Sequence, residues 1–203
     1  MLFNDQYNEL LKPSKGFYKS KGSKFITFAY IVYNTGDVNK LLNKIKQEEN
    51  GANHYCYAYI LNPDKSSVYS NDDGEPSNTA GKPILGQIRS KDLTNTLIVV
   101  VRYFGGVKLG ISGLIKAYKE SACQALENAS IITKDIKESY KVIFRFEQTN
   151  YVMRVLKKYD VKILDNKYNE FCEVFYIVKK INADIVKNEL LKNHKIKVKL
   201  QKI

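Results

Sequence analysis

The chain has 203 residues, 44% of them hydrophobic, enough for one large core or two ordinary ones and too much for wholesale disorder. Its clearest aliphatic strip, Leu97 to Val101, falls far short of the roughly 20 residues of a bilayer-spanning helix, so no membrane partner is expected. The net charge of +12 points towards nucleic acid or the ribosome, or else towards a solvated, lysine-biased surface. Residues 1–135 carry 17 basic and 13 acidic side chains (net +4), and residues 136–203 carry 16 and 8 (net +8). The excess is therefore concentrated in the C-terminal third. Cys56, Cys123 and Cys172 form no C-x-x-C pair, and their odd number suits reduced thiols. Asp5, Glu9, Lys12, Lys15 and Lys19 leave no apolar secretory core near the start, and a cytoplasmic location is expected.

In chain order, Lys24–Tyr33 is rich in Phe, Ile, Val and Tyr and reads as a strand. After Gly36, the spacing of Val38, Leu41, Leu42 and Ile45 predicts a helix with Thr35 or Asp37 as its cap. A strand over His54–Leu61 turns at Asn62-Pro63-Asp64, and Ser67–Tyr69 completes a hairpin. The polar loop Ser70–Pro76 opens a short helix that includes Ala80 and Ile84. Leu97–Val101, continuous and β-branched, is expected to be a strand covered on both faces. It runs into Arg102-Tyr103-Phe104-Gly105-Gly106 and then a long helix with Leu114, Ile115, Tyr118, Ala122 and Leu126 on one side. Beyond Ile132, Tyr140–Phe146, Val161–Leu164, Phe171–Val178 and the run from Ile196 to Leu200 read as strands. Stripes at Tyr151–Tyr159 and Ala183–Leu191 read as helices. The order β-α-β-β-α-β is the ferredoxin-like signature. The expected fold class is therefore α+β, in two domains over residues 1–134 and 135–203.

The glycine-rich loop between strand and helix is the leading candidate site. Gly105, Gly106, Gly110 and Gly113 let backbone amides approach a ligand, and the helix N-terminus, with Ser112, favours an anion. Arg102, Lys108 and Lys116 add charge for phosphate or an RNA backbone. The bland alternative is that the glycines only let strand and helix pack. A nucleotide P-loop is a poor fit, because Ile111 stands where the phosphate-binding lysine belongs.

Asp72, Asp73 and Glu75 can hold a divalent metal, engage a partner, or serve structurally by capping a helix and pairing with Arg102 or Lys108. His54 and Cys56 share one strand face, an awkward distance for a nucleophile and base, and no zinc-ligand spacing accompanies them. Neither a metal nor a cofactor is expected. Lys195, Lys197 and Lys199 alternate on the last strand, as edge guards or as phosphate contacts.

Four ordered motifs carry a family resemblance: Lys21-Gly22-Ser23-Lys24-Phe25-Ile26, the His54/Cys56 strand, Asp72-Asp73-Gly74-Glu75-Pro76 with Thr79-Ala80-Gly81, and the Arg102–Tyr118 block. Together they resemble the YigZ/IMPACT family. The resemblance implies an N-terminal domain with the fold of the second domain of ribosomal protein S-five. It also implies a ferredoxin-like C-terminal domain similar to one in elongation factor G. Eukaryotic IMPACT proteins regulate translation through protein partners. The expectation is thus a non-enzymatic, translation-associated regulator binding RNA, the ribosome or a protein partner. The alternatives are an enzyme or binding protein for a phosphorylated small molecule, and a protein-interaction module. Asn78 and Ile111-Ser112 depart from the family pattern, standing where glycine or small residues are usual.

Overall fold

A computed structural model describes residues 5–201. It is a mixed α+β chain whose sheets are largely antiparallel, in two compact units, one of them Tyr7–Lys134 and the other built mainly from Asp135 onward. No helix among the described residues is long and apolar enough to cross a membrane.

The larger unit opens with strands β1 (Gln6–Leu10), β2 (Ser14–Ser20) and β3 (Ser23–Ile31), followed by helix α1 (Thr35–Glu48). Strands β4 (His54–Leu61) and β5 (Ser67–Asn71) form the expected hairpin and lead to α2 (Gly81–Ser90). Strand β6 (Thr96–Tyr103), helix α3 (Gly110–Glu127) and strand β7 (Ile131–Asp135) complete it. The main sheet has the order β2-β3-β6-β4-β5, with every neighbouring pair antiparallel, and β1 pairs with β7.

Strand β6 is central, which explains its unbroken aliphatic run. Ile98 and Val100 face the core shared with α2 and α3, while Leu97, Val99 and Val101 face the core shared with α1. All five are fully buried, each side chain contributing about 1.5–3 kcal/mol relative to exposure. The N-cap of α1 is Asn34, one residue before the expected Thr35, its side chain accepting from the Asp37 backbone N–H at 2.9 Å.

The second unit contains β8 (Lys137–Phe144), α4 (Thr149–Lys158), β9 (Lys162–Tyr168), β10 (Cys172–Lys179), α5 (Lys180–Leu191) and β11 (Lys197–Gln201). Its sheet has the order β11-β8-β10-β9, with β8 and β10 in the middle. Tyr140, Val142, Phe144, Val174 and Tyr176 pack on one side against Val152, Leu156, Val186 and Leu190 of the two helices.

Candidate functional site

The glycine-rich loop leaves β6 at Tyr103 and enters α3 at Gly110. Gly105 is there for packing: a Cβ on it would lie 1.9 Å from the carbonyl carbon of Gly22, a clash no side chain survives. Gly106 (φ 84°) and Gly110 (φ 73°) occupy the left-handed region where glycine is least strained. Helix α3 begins behind Leu109 with no side-chain cap and no acidic residue in its first turn, so its N-terminal amides keep a partial positive charge. Lys108, Ile111 and Ser112 are exposed around that end. Lys116, also exposed, lies further along α3.

Arg102 belongs to a different layer. Its guanidinium is buried, ion-paired to Glu75 Oε1, and set between the rings of Phe25 and Phe104 with each centroid 5.6 Å away. Its charge is paired inside the protein with Glu75, and the residue also lines the cleft described below. Glu75 Oε1 also accepts from the Tyr118 hydroxyl at 2.7 Å. That hydroxyl lies 3.3 Å from the Cys56 thiol, which donates to the Asp72 carbonyl at 3.0 Å. Burial, with Cys56 and Glu75 alongside, pushes the Tyr118 hydroxyl well above its ordinary pKa. Burial likewise pushes up the Cys56 thiol, and the carboxylates of Glu75, Asp73 and Asp72 add to it. A buried, firmly protonated thiol is not a nucleophile.

His54 stands at the edge of this network. Its Nδ1 is 2.8 Å from the Asp73 carbonyl oxygen. A carbonyl only accepts, so Nδ1 carries a proton. Nε2 lies 3.9 Å from Glu75 Oε1. Oε1 takes Arg102 and Tyr118, while Oε2 receives no hydrogen bond among the described residues.

The acidic loop is chiefly architectural. Asp72 accepts from the backbone N–H groups of Asn78, Ala80 and Gly81 at 2.8–2.9 Å, closing the N-terminus of α2. Burial raises the Asp72 carboxyl, but those three donors and Lys82 outweigh it and hold it below the usual carboxylate range. Asp73 Oδ2 accepts from the Tyr55 N–H at 2.7 Å. Each of the three carboxylates thus has a partner within the chain. Among the described residues no group of three or more His, Cys, Asp or Glu is placed to hold a metal.

Asn78 has φ 66°, in the left-handed region that glycine and asparagine adopt most readily. The acidic and glycine loops meet at one cleft of about 420 Å³. Its polar floor is His54, Glu75 and Arg102, and its walls are Pro76, Phe104, Leu109, Ile111 and Leu114, with Lys108 beside them.

Residues 21–126 match the Impact N-terminal domain, a stretch that contains both the acidic and the glycine-rich loop. This chain belongs to the YigZ/IMPACT family. An IMPACT family member of Haemophilus influenzae is 35% identical over 150 residues, covering 73% of each chain. The IMPACT family member YigZ of Escherichia coli is 33% identical over 153 residues, covering 74% of this chain and 75% of its own. A solved structure described only as a hypothetical protein is 27% identical and covers 98% of both chains, with a TM-score of 0.74.

Three members of the site in this IMPACT chain escaped sequence reasoning. Tyr118 reads as one more apolar residue on the α3 stripe, and only its hydroxyl betrays a polar duty. Ser23, 3.4 Å from Arg102 Nη2 and 3.2 Å from the Gly105 N–H, sits inside a quoted motif but carries no charge to mark it. Asn53 accepts from the Phe104 N–H at 2.7 Å across a gap of 51 residues that no local pattern reveals.

Proposed function

We propose that this chain is a non-enzymatic, translation-associated regulator that binds RNA or the ribosome through the loop after Tyr103 and the exposed side of the first turns of α3, as far as Lys116. The carrying observation is the uncapped N-terminus of α3, flanked by the exposed Lys108. Oriented backbone amides and lysines suit phosphate, and Phe104, 47% exposed, offers a ring to an unpaired base. Family membership favours a role in translation. The reading includes two domains, over residues 1–134 and 135–203. For the first we infer the fold of the second domain of ribosomal protein S-five, and for the second a ferredoxin-like fold, supported by its element order and by the order β11-β8-β10-β9. The three unpaired cysteines favour a cytoplasmic setting.

The test is binding to purified ribosomes and to free RNA across a salt series. Lys108→Ala/Lys116→Ala is the variant of choice, because changing Arg102 would damage the interior. Wild type is expected to lose affinity steeply as salt rises, and the variant to bind several-fold more weakly with a shallower slope. Salt-insensitive binding, or none, would refute the reading.

A second reading is favoured by the cleft itself. Its volume, apolar walls and mixed floor of Arg102, Glu75 and His54 suit a small phosphorylated molecule. Ile111→Glu would block the mouth. Titration calorimetry with nucleoside monophosphates on both proteins, showing heat only for wild type, would favour this reading over the first.

A further inference from the structure

The sheet of the second unit has a side that its helices leave uncovered. Alternation along the strands turns Tyr140, Val142, Val174 and Tyr176 towards α4 and α5, so Lys141, Ile143, Glu173, Phe175 and Ile177 point the opposite way. The register sets Phe175 opposite Lys141 on one side and Asp165 on the other. Lys199 stands opposite Lys141, Lys197 opposite Ile143, and Lys167 opposite Glu173. The ammonium groups of Lys141 and Lys167 lie 5.5 and 5.6 Å from the centre of the Phe175 ring. Lys141, Lys167, Lys197 and Lys199 thus share this face with Asp165 and Glu173, and Glu173 is paired with Lys141 at 3.0 Å.

Lysines on edge strands are explained by protection against strand pairing. That explanation fits Lys167, Lys197 and Lys199 on β9 and β11. It does not reach Phe175 and Lys141, which sit on the two central strands where no edge needs guarding.

We propose that this open face binds single-stranded RNA, with Phe175 stacking on one base and Lys167, Lys197 and Lys199 meeting the phosphates on either side. An aromatic ring in mid-sheet is useful only to a base free of its own stack, so an unpaired strand fits and a duplex does not. The proposal rests on the reading above for the class of partner and adds a second site, separate in sequence from the glycine loop.

The experiment is fluorescence anisotropy with the full chain, using a labelled oligouridine of about 12 nucleotides and a duplex of equal length across a salt series. Wild type should prefer the single strand. Phe175→Ala should weaken it roughly tenfold, the effect of losing one base stack. Lys197→Ala/Lys199→Ala should lower the salt slope by about 1.4, two single-strand phosphate contacts at about 0.7 each. These substitutions are on the uncovered side, and circular dichroism checks that the fold is kept. Equal affinity for the duplex, or both variants binding like wild type, would overturn the proposal. So would loss of single-strand binding in Lys108→Ala/Lys116→Ala alone, a result that spares the glycine-loop reading. If wild type takes no single strand, this proposal falls, and ribosome binding judges the other reading separately.

Discussion

The pair Glu75–Arg102 shows how one residue can hold two loops. Glu75 comes from the acidic loop, Arg102 from the end of β6, and Tyr118 from the middle of α3, and all three meet at Oε1. A buried charge left without its partner is costly, typically about 3–5 kcal/mol. Glu75→Gln keeps the shape and removes the charge facing Arg102. It is expected to lower stability by an amount of that order, read as a fall in the urea midpoint at unchanged slope. The charge types of this trio, though not their meeting, were legible in the sequence. Capping and ion pairing were among the roles open to the acidic loop, and Arg102 was an open choice for the pair. Its guanidinium lies inside rather than at the surface because β6 is covered on both faces up to Arg102 itself. Residue type alone does not reveal that depth.

At the scale of elements, α2 depends on a residue outside it. Its first turn starts with Ala80, which cannot cap, and Asp72 supplies the acceptors from eight residues earlier. Asp72→Ala should cost about 1–2 kcal/mol, as the loss of a strong cap does. The folded carboxyl is held below its unfolded pKa of about 3.9, so this stabilisation is complete above that value and fades as pH falls through the lower folded value. The difference in urea midpoint between wild type and variant should therefore be constant from pH 7 to about pH 5 and shrink below pH 4.

The elements that sequence predicted well, β4, β6, α1 and α3, bury continuous or periodic apolar faces. Strands β1 and β2 were not foreseen. Strand β2 carries the polar run Ser14–Ser20, exposes Phe17, and lays Gly16 so close to α3 that a Cβ there would sit 2.5 Å from the Ala125 nitrogen. Its place in the sheet comes from that close fit, which leaves no hydrophobic pattern. Strand β9 extends to Tyr168, beyond the expected Leu164, because pairing with β10 continues through residues that are mostly exposed.

Across the whole molecule, strand β1 has a consequence in time. It finds its partner β7 more than a hundred residues later, and the joint is sealed by Leu11 N–H donating to Ser130 and by Lys134 reaching the buried Glu9. The five-stranded sheet and its three helices need nothing beyond Glu127. During synthesis, then, that sheet can assemble while β1, held by its contacts with Leu93, Thr94 and Asn95, still lacks its strand partner and Glu9 its lysine. Stalled chains ending near Asn128 should have a protected sheet and a protease-sensitive segment before Leu11, and chains extended well past Asp135 should lose that sensitivity. The earliest-made strand of this unit would be among its last to gain a strand partner.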